Sequence, residues 1–203
     1  MTSPFSARQA GLTSLAAALL ILVSQGFQLL LPMTMPESFW IATQSLRMGL
    51  ALVAMAVLLL ALVGLHARQA AAAGSLGTAA FVIALLGTTL VAGDWWYETF
   101  IGPALRERAP ELLATAPSGS ILLGAVATGA LFAIGWTLFG VASLRAGVFP
   151  RRTAVLLTVA GAAGILALIS PFQVPLALAV GWMGWWLLRS DRGIESTAPA
   201  LAA

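Results

Sequence analysis

Two carboxylates one helical turn apart, Asp94 and Glu98, and an arginine set inside an apolar stretch, Arg47, are the side chains best suited to chemistry in this chain. Acids at i, i+4 share one helix face and can in principle give and take protons. An arginine presents a planar fork of donors that fits a carboxylate or a phosphate. Three amides join them by spacing: Gln25 and Gln28 at i, i+3 near the end of the first apolar run, and Gln44 three residues before Arg47. Amides donate and accept hydrogen bonds but do not move protons.

The reactive set ends there. No Ser/His/Asp set, HExxH helix or phosphate-cradling glycine loop occurs, so no catalytic residue is assigned and the reading leans away from an enzyme. Cysteine is absent, which removes disulfides, thiolate nucleophiles and cysteine-bound zinc or iron–sulfur clusters. A single histidine, His66, leaves no bis-histidine haem and no histidine metal site within one chain. No cofactor and no metal is expected. His66, beside Arg68, is read as facing the carbonyls at a helix C-terminus.

What positions the polar residues is a lipid-soluble scaffold. Of 203 residues 60% are hydrophobic and only 8% are charged, too little polar surface to cover a water-soluble core. Six apolar runs, 11–31, 41–65, 76–97, 120–144, 153–170 and 173–189, approach the roughly 20 helical residues that cross a bilayer. The expectation is an all-α integral membrane bundle of six transmembrane helices in one membrane domain over 1–203. The first run is longer than a signal-peptide core and is read as an uncleaved span.

Charge orients the bundle. The net charge of +3 comes from arginine alone. Alternating loops put Arg8, Arg68, Arg145, Arg151, Arg152, Arg189 and Arg192 on one side and Arg47, Arg106 and Arg108 on the other. This bias predicts that both termini are cytoplasmic. The arginines sit at helix ends and not in a cluster, so nucleic acid is not an expected partner. Trp40, Trp95, Trp96 and Tyr97 read as an aromatic belt at the outer interface, and Trp182, Trp185 and Trp186 near the inner one. Trp136, inside the fourth run, is expected between helices. Small residues such as Gly129, Gly161, Gly164 and Gly181 let helix backbones approach. They serve equally for packing within one chain or against a second copy or a partner membrane protein, and both readings stay open.

The segment from Gly64 to Arg68, the stretch from Asp94 to Phe100 leading to Pro103, and the segment from Arg145 to Arg151 resemble a group of small multi-pass membrane proteins of bacteria, of actinobacterial type. The resemblance covers most of the chain. It implies the bacterial cytoplasmic membrane and the lipid bilayer as surroundings, and it carries no activity to transfer.

Polar side chains inside the runs concentrate at the outer half. An unpaired charge near lipid is costly, so Arg47 should pair, snorkel or line a wet cavity. The sharper expectation is an outward-facing pocket between helices one to three, lined by Gln25, Gln28, Gln44, Arg47, Asp94 and Glu98. It would hold a small polar solute or a lipid headgroup, with Arg47 on an anionic group. The competing expectation is a set of ion pairs and amide bonds that fixes helix packing in an accessory or sensory subunit acting through helix contacts. Between helices three and four, Pro103, Pro110 and Pro117 recur every seven residues. Leu105, Leu112 and Leu113 alternate there with Arg106, Glu107, Arg108 and Glu111, which predicts a short amphipathic cap, either a lid or a passive interfacial element.

Overall fold

Hydrocarbon offers no partners for backbone N–H and C=O groups, and a chain this apolar satisfies them within helices. The computed structural model describes residues 6–114, 119–169 and 171–197, and among them all regular structure is helical. The helices are α1 (Ala7–Thr34), α2 (Glu37–Ala42), α3 (Gln44–Phe100), α4 (Gly102–Arg108), α5 (Pro110–Ala114), α6 (Gly119–Ala146), α7 (Arg151–Ala163) and α8 (Val174–Thr197), with a 3-10 turn at Gly164–Leu166. Three of them, through Ala7–Leu30, Gln44–Phe100 and Gly119–Ala146, are long and apolar enough to cross a membrane.

α1 begins at a capping box. The Gln9 N–H donates to Ser6 Oγ at 3.1 Å, and the Ser6 N–H donates to Gln9 Oε1 at 2.9 Å, which satisfies two donors the first turn would leave orphaned. α6 ends on Gly147, whose φ of 65° is the left-handed cap that glycine adopts without strain, and the Gly147 N–H donates to the Ser143 carbonyl at 3.2 Å.

Helix α3, 57 residues long, would extend about 85 Å if straight. It does not. At Gly74 the backbone takes φ 59° and ψ −148°, a conformation essentially confined to glycine, and the chain doubles back. The Gln44 side chain near one end of α3 accordingly reaches Glu98 near the other, at 3.2 Å. The stretch 66–75 between the second and third runs is not a loop: the first arm stays helical through Ala73 and turns at Gly74. His66 therefore does not sit at a helix end. Its ring stacks on Phe81 of the returning arm, with centroids 4.3 Å apart.

The fifth run is also corrected. α7 stops at Ala163, and a 3-10 turn at Gly164–Leu166 followed by irregular chain over 167–169 takes its place, so the α-helix does not run the length expected of the fifth run. Between α3 and α6 the described chain forms α4 and α5. Pro103 lies in the first turn of α4 and Pro110 begins α5, positions where a missing N–H costs nothing. Pro117, Ser170 and the side chains of Trp40, Leu113 and Arg192 lie outside the described residues.

α1 packs on α3 and α8, α6 on α3 and α7, and α7 closes against α8. Glycines set these crossings. A Cβ on Gly87 would lie 2.5 Å from Phe132 Cα, one on Gly135 2.4 Å from Ala84 Cα, and one on Gly161 2.3 Å from the Thr137 nitrogen. Backbones touch at these points. Other glycines make no such crossing: Gly26, Gly93 and Gly124, and at the opposite end Gly74 and Gly147, would meet nothing within 4 Å. Trp136 is fully buried at the α3/α6 crossing, where its Nε1–H donates to Thr88 Oγ1 at 3.0 Å while Thr88 donates to the Ala84 carbonyl.

Candidate functional site

At the end of the bundle opposite Gly74, a cavity of about 480 Å³ is lined by Gln28, Ile41, Gln44, Arg47, Met48, Asp94, Trp95, Glu98, Arg106 and Leu168. Its volume falls within the roughly 300–1,000 Å³ common for small-molecule sites. The hairpin of α3 supplies most of the wall. Because the chain folds back at Gly74, Gln44 and Arg47 of the first arm face Asp94 and Glu98 of the second. α1 contributes Gln28, α4 contributes Arg106, and the irregular segment before α8 contributes Leu168.

Five of the six expected residues thus share one cavity. The sixth does not line it. Gln25 is buried beside α8, where its Nε2–H donates to Gln173 Oε1 at 3.4 Å, and Gln173 Nε2–H in turn donates to the Ala167 carbonyl at 2.6 Å. This relay ties the segment after the 3-10 turn to α1, and its role is structural, since it satisfies a carbonyl that α7 leaves exposed by ending early. Gln28 turns the other way, with its Nε2–H 3.4 Å from Ser24 Oγ.

The carboxylate of Glu98 is held on two sides. Gln44 Nε2–H donates to its Oε2 at 3.2 Å, and Arg106 Nη2 lies 3.4 Å from the same oxygen. Arg106 and Glu98 are both partly exposed and stand where the cavity opens to water. Arg47, only 3% exposed, reaches Thr43 Oγ1 with its Nε–H at 3.4 Å, one turn back on its own side. From the sequence, Asp94 or Glu98 is the natural partner for Arg47; the ion pair to Glu98 is made by Arg106. The carboxylate is reached from α4, eight residues past Glu98, after the chain has turned at Ile101.

Asp94 sits one turn before Glu98 on the same face, half-buried, and no hydrogen bond or ion pair joins it to another described residue. Trp95 is 4% exposed and forms part of the wall, unlike Trp96 and Tyr97, which are exposed as a belt residue should be. Sequence reasoning assigned all three to the belt. Only helical phase separates them, since a rotation of 100° per residue turns Trp95 inward while its neighbours face out.

The site has the parts of a recognition pocket: two guanidinium groups, two carboxylates, two amides and an apolar floor. It lacks the parts of a metal centre, for no cluster of three or more metal-ligating side chains occurs among the described residues. Comparison of the chain with protein families, with curated proteins and with solved structures finds no match.

Proposed function

We propose that this chain is a six-span membrane protein, with both termini on the cytoplasmic side, that binds a small polar solute or a lipid headgroup in an outward-facing pocket, as a carrier or receptor for it. The observation that supports the reading best is the gathering of Gln28, Gln44, Arg47, Asp94, Glu98 and Arg106 around one cavity at one end of an otherwise apolar bundle. Grooves of similar volume elsewhere on the bundle are lined almost wholly by apolar surface, so it is the polar lining that supports the reading.

The reading of six spans counts the two arms of α3 separately and includes α7 and α8. The orientation follows from arginine: Arg8, Arg68, Arg145, Arg151 and Arg152 fall toward the Gly74 end, and Arg47, Arg106 and Arg108 toward the cavity. Arg151 and Arg152 even occupy the first turn of α7, where cations oppose the helix dipole, a cost that a requirement for positive charge on that side accounts for. The bacterial cytoplasmic membrane is the proposed location.

The absence of cysteine makes a direct test available. In intact cells an Asp94→Cys variant should react with a membrane-impermeant maleimide added outside, and a Gly74→Cys variant only after permeabilisation. Labelling with the reverse sidedness, or none at position 94 in either case, would remove the outward-facing wet pocket.

A second reading, an accessory subunit acting through helix contacts, is supported by the start of α6. Residues 119–127 are exposed on every side, with Ile121 69% and Leu123 70% exposed. A partner helix seated there should be captured by photo-crosslinking from position 123 in native membranes; lipid adducts alone would count against it.

A further inference from the structure

The wall of the cavity carries opposite charges in balance, and one of them is unanswered. Arg47 and Arg106 contribute two positive charges, Asp94 and Glu98 two negative. An occupant with net charge would upset that balance in a partly enclosed space, where charges interact more strongly than in bulk water. A purely anionic guest would also stand against two carboxylates. A zwitterion leaves the sum unchanged and can set each pole against its complement.

The positions of the partners divide the roles. Glu98 already receives Gln44 at 3.2 Å and Arg106 at 3.4 Å. Asp94 has no hydrogen bond or ion pair to another described residue, although it is half-buried and stands one turn from a like charge. A carboxylate so placed is satisfied by an ammonium group, which would also relieve its repulsion with Glu98. Trp95, buried in the wall beside it, supplies an aromatic surface of the kind that favours cations. The guanidinium groups of Arg47 and Arg106, which line the same cavity, fit an oxyanion.

Building on the binding function proposed above, we infer that the pocket selects a zwitterion, seating its ammonium on Asp94 and its carboxylate or phosphate on the arginines. Two sources share that chemistry: a free amino-acid-like solute and an ethanolamine phospholipid headgroup.

The test is calorimetric titration of the full chain in nanodiscs of phosphatidylglycerol, which carries no ammonium. Four probes are compared: glycine, glycerophosphoethanolamine, inorganic phosphate and ethanolamine. At least one of the two zwitterions should bind about tenfold or more tightly than either phosphate or ethanolamine, as expected for an added charge-assisted hydrogen bond. Preference for glycine identifies a free solute, and preference for glycerophosphoethanolamine a headgroup. The D94N variant should lose that advantage, binding the zwitterion no better than phosphate, while D94E recovers part of it and confirms that the fold tolerates the position. If phosphate binds as tightly as both zwitterions, or D94N leaves the preference intact in a folded protein, the zwitterion inference is overturned and the pocket remains an anion site. If none of the four binds, the pocket reading itself falls and takes the inference with it.

Discussion

Replacing Gly135 by alanine adds one methyl group at the tightest point between α3 and α6. Its Cβ would lie 2.4 Å from Ala84 Cα and 2.4 Å from the Ala84 nitrogen, both backbone atoms that no rotamer change can move. Carbon atoms in contact rest about 3.5–4.0 Å apart, so the helices must separate locally by more than about 1 Å. The neighbouring bond from Trp136 Nε1–H to Thr88 Oγ1 starts at 3.0 Å, and the same displacement takes it past hydrogen-bond range. Overpacking costs about 1–3 kcal/mol and a stranded buried donor about 1–3 kcal/mol more, for a total of about 2–6 kcal/mol. Equilibrium unfolding in mixed detergent micelles, followed by tryptophan fluorescence, measures it. Gly124→Ala is the control, because its Cβ meets nothing within 4 Å, and it should be neutral or stabilising by up to about 1 kcal/mol. Thr88→Val removes the same hydrogen bond without adding bulk across the interface. Since the overpacked crossing has already broken that bond, the double variant should fall short of additivity by about 1–3 kcal/mol. A Gly135→Ala protein as stable as Gly124→Ala, or strictly additive losses in the cycle, would refute the picture of touching backbones coupled to the Trp136 bond.

Three further outcomes are expected. Gly74→Ala should destabilise the α3 hairpin by about 1–3 kcal/mol in the same unfolding assay even though its Cβ meets nothing within 4 Å, because the penalty lies in φ and ψ and not in space. Gln69→Leu should cost about 0.5–1.5 kcal/mol by removing its bond to Ser143, whose hydroxyl keeps the Phe139 carbonyl. The Ser143 hydroxyl lies 2.7 Å from Gln69 Oε1 and 2.8 Å from the Phe139 carbonyl, and its single proton cannot serve both; with the Gln69 amide turned so that Nε2–H donates to Ser143, the hydroxyl proton goes to the Phe139 carbonyl. Arg106→Gln should change stability by less than about 1 kcal/mol, since its pair with Glu98 is partly exposed, and the effect should shrink further when unfolding is repeated at high salt.

Much of this arrangement is legible in the amino-acid sequence because lipid simplifies the code. Apolar runs give helices, and polar residues at comparable depths along antiparallel runs come to lie at one level, which is how Gln28, Gln44, Arg47, Asp94 and Glu98 can be grouped before any coordinates. Three things escape that reasoning. The turn at Gly74 leaves no composition shift, since the alanines before it suit a helix as well as a loop. The end of α7 at Ala163 is equally silent, because Gly164 to Ile169 is as apolar as the helix before it. The third is rotation about the helix axis, which turns Gln25 toward Gln173, Trp95 into the wall and Arg106 onto Glu98. Position along a run sets depth; which neighbour a side chain meets depends on phase and on the path of the connecting chain.

The glycines that touch and those that meet nothing divide the bundle mechanically. Gly87, Gly135 and Gly161 lock α3, α6 and α7 through backbone atoms, which cannot yield without moving whole helices. Beyond them, Gly26, Gly93 and Gly124 make no such crossing, and the last two lie on exposed faces. A bundle built in this way has a stiff waist and a free rim. Opening or narrowing the cavity then needs only small tilts of helix ends about a fixed fulcrum. A displacement of the rim would change the distance between Arg47 and Asp94 while leaving the Trp136 crossing undisturbed.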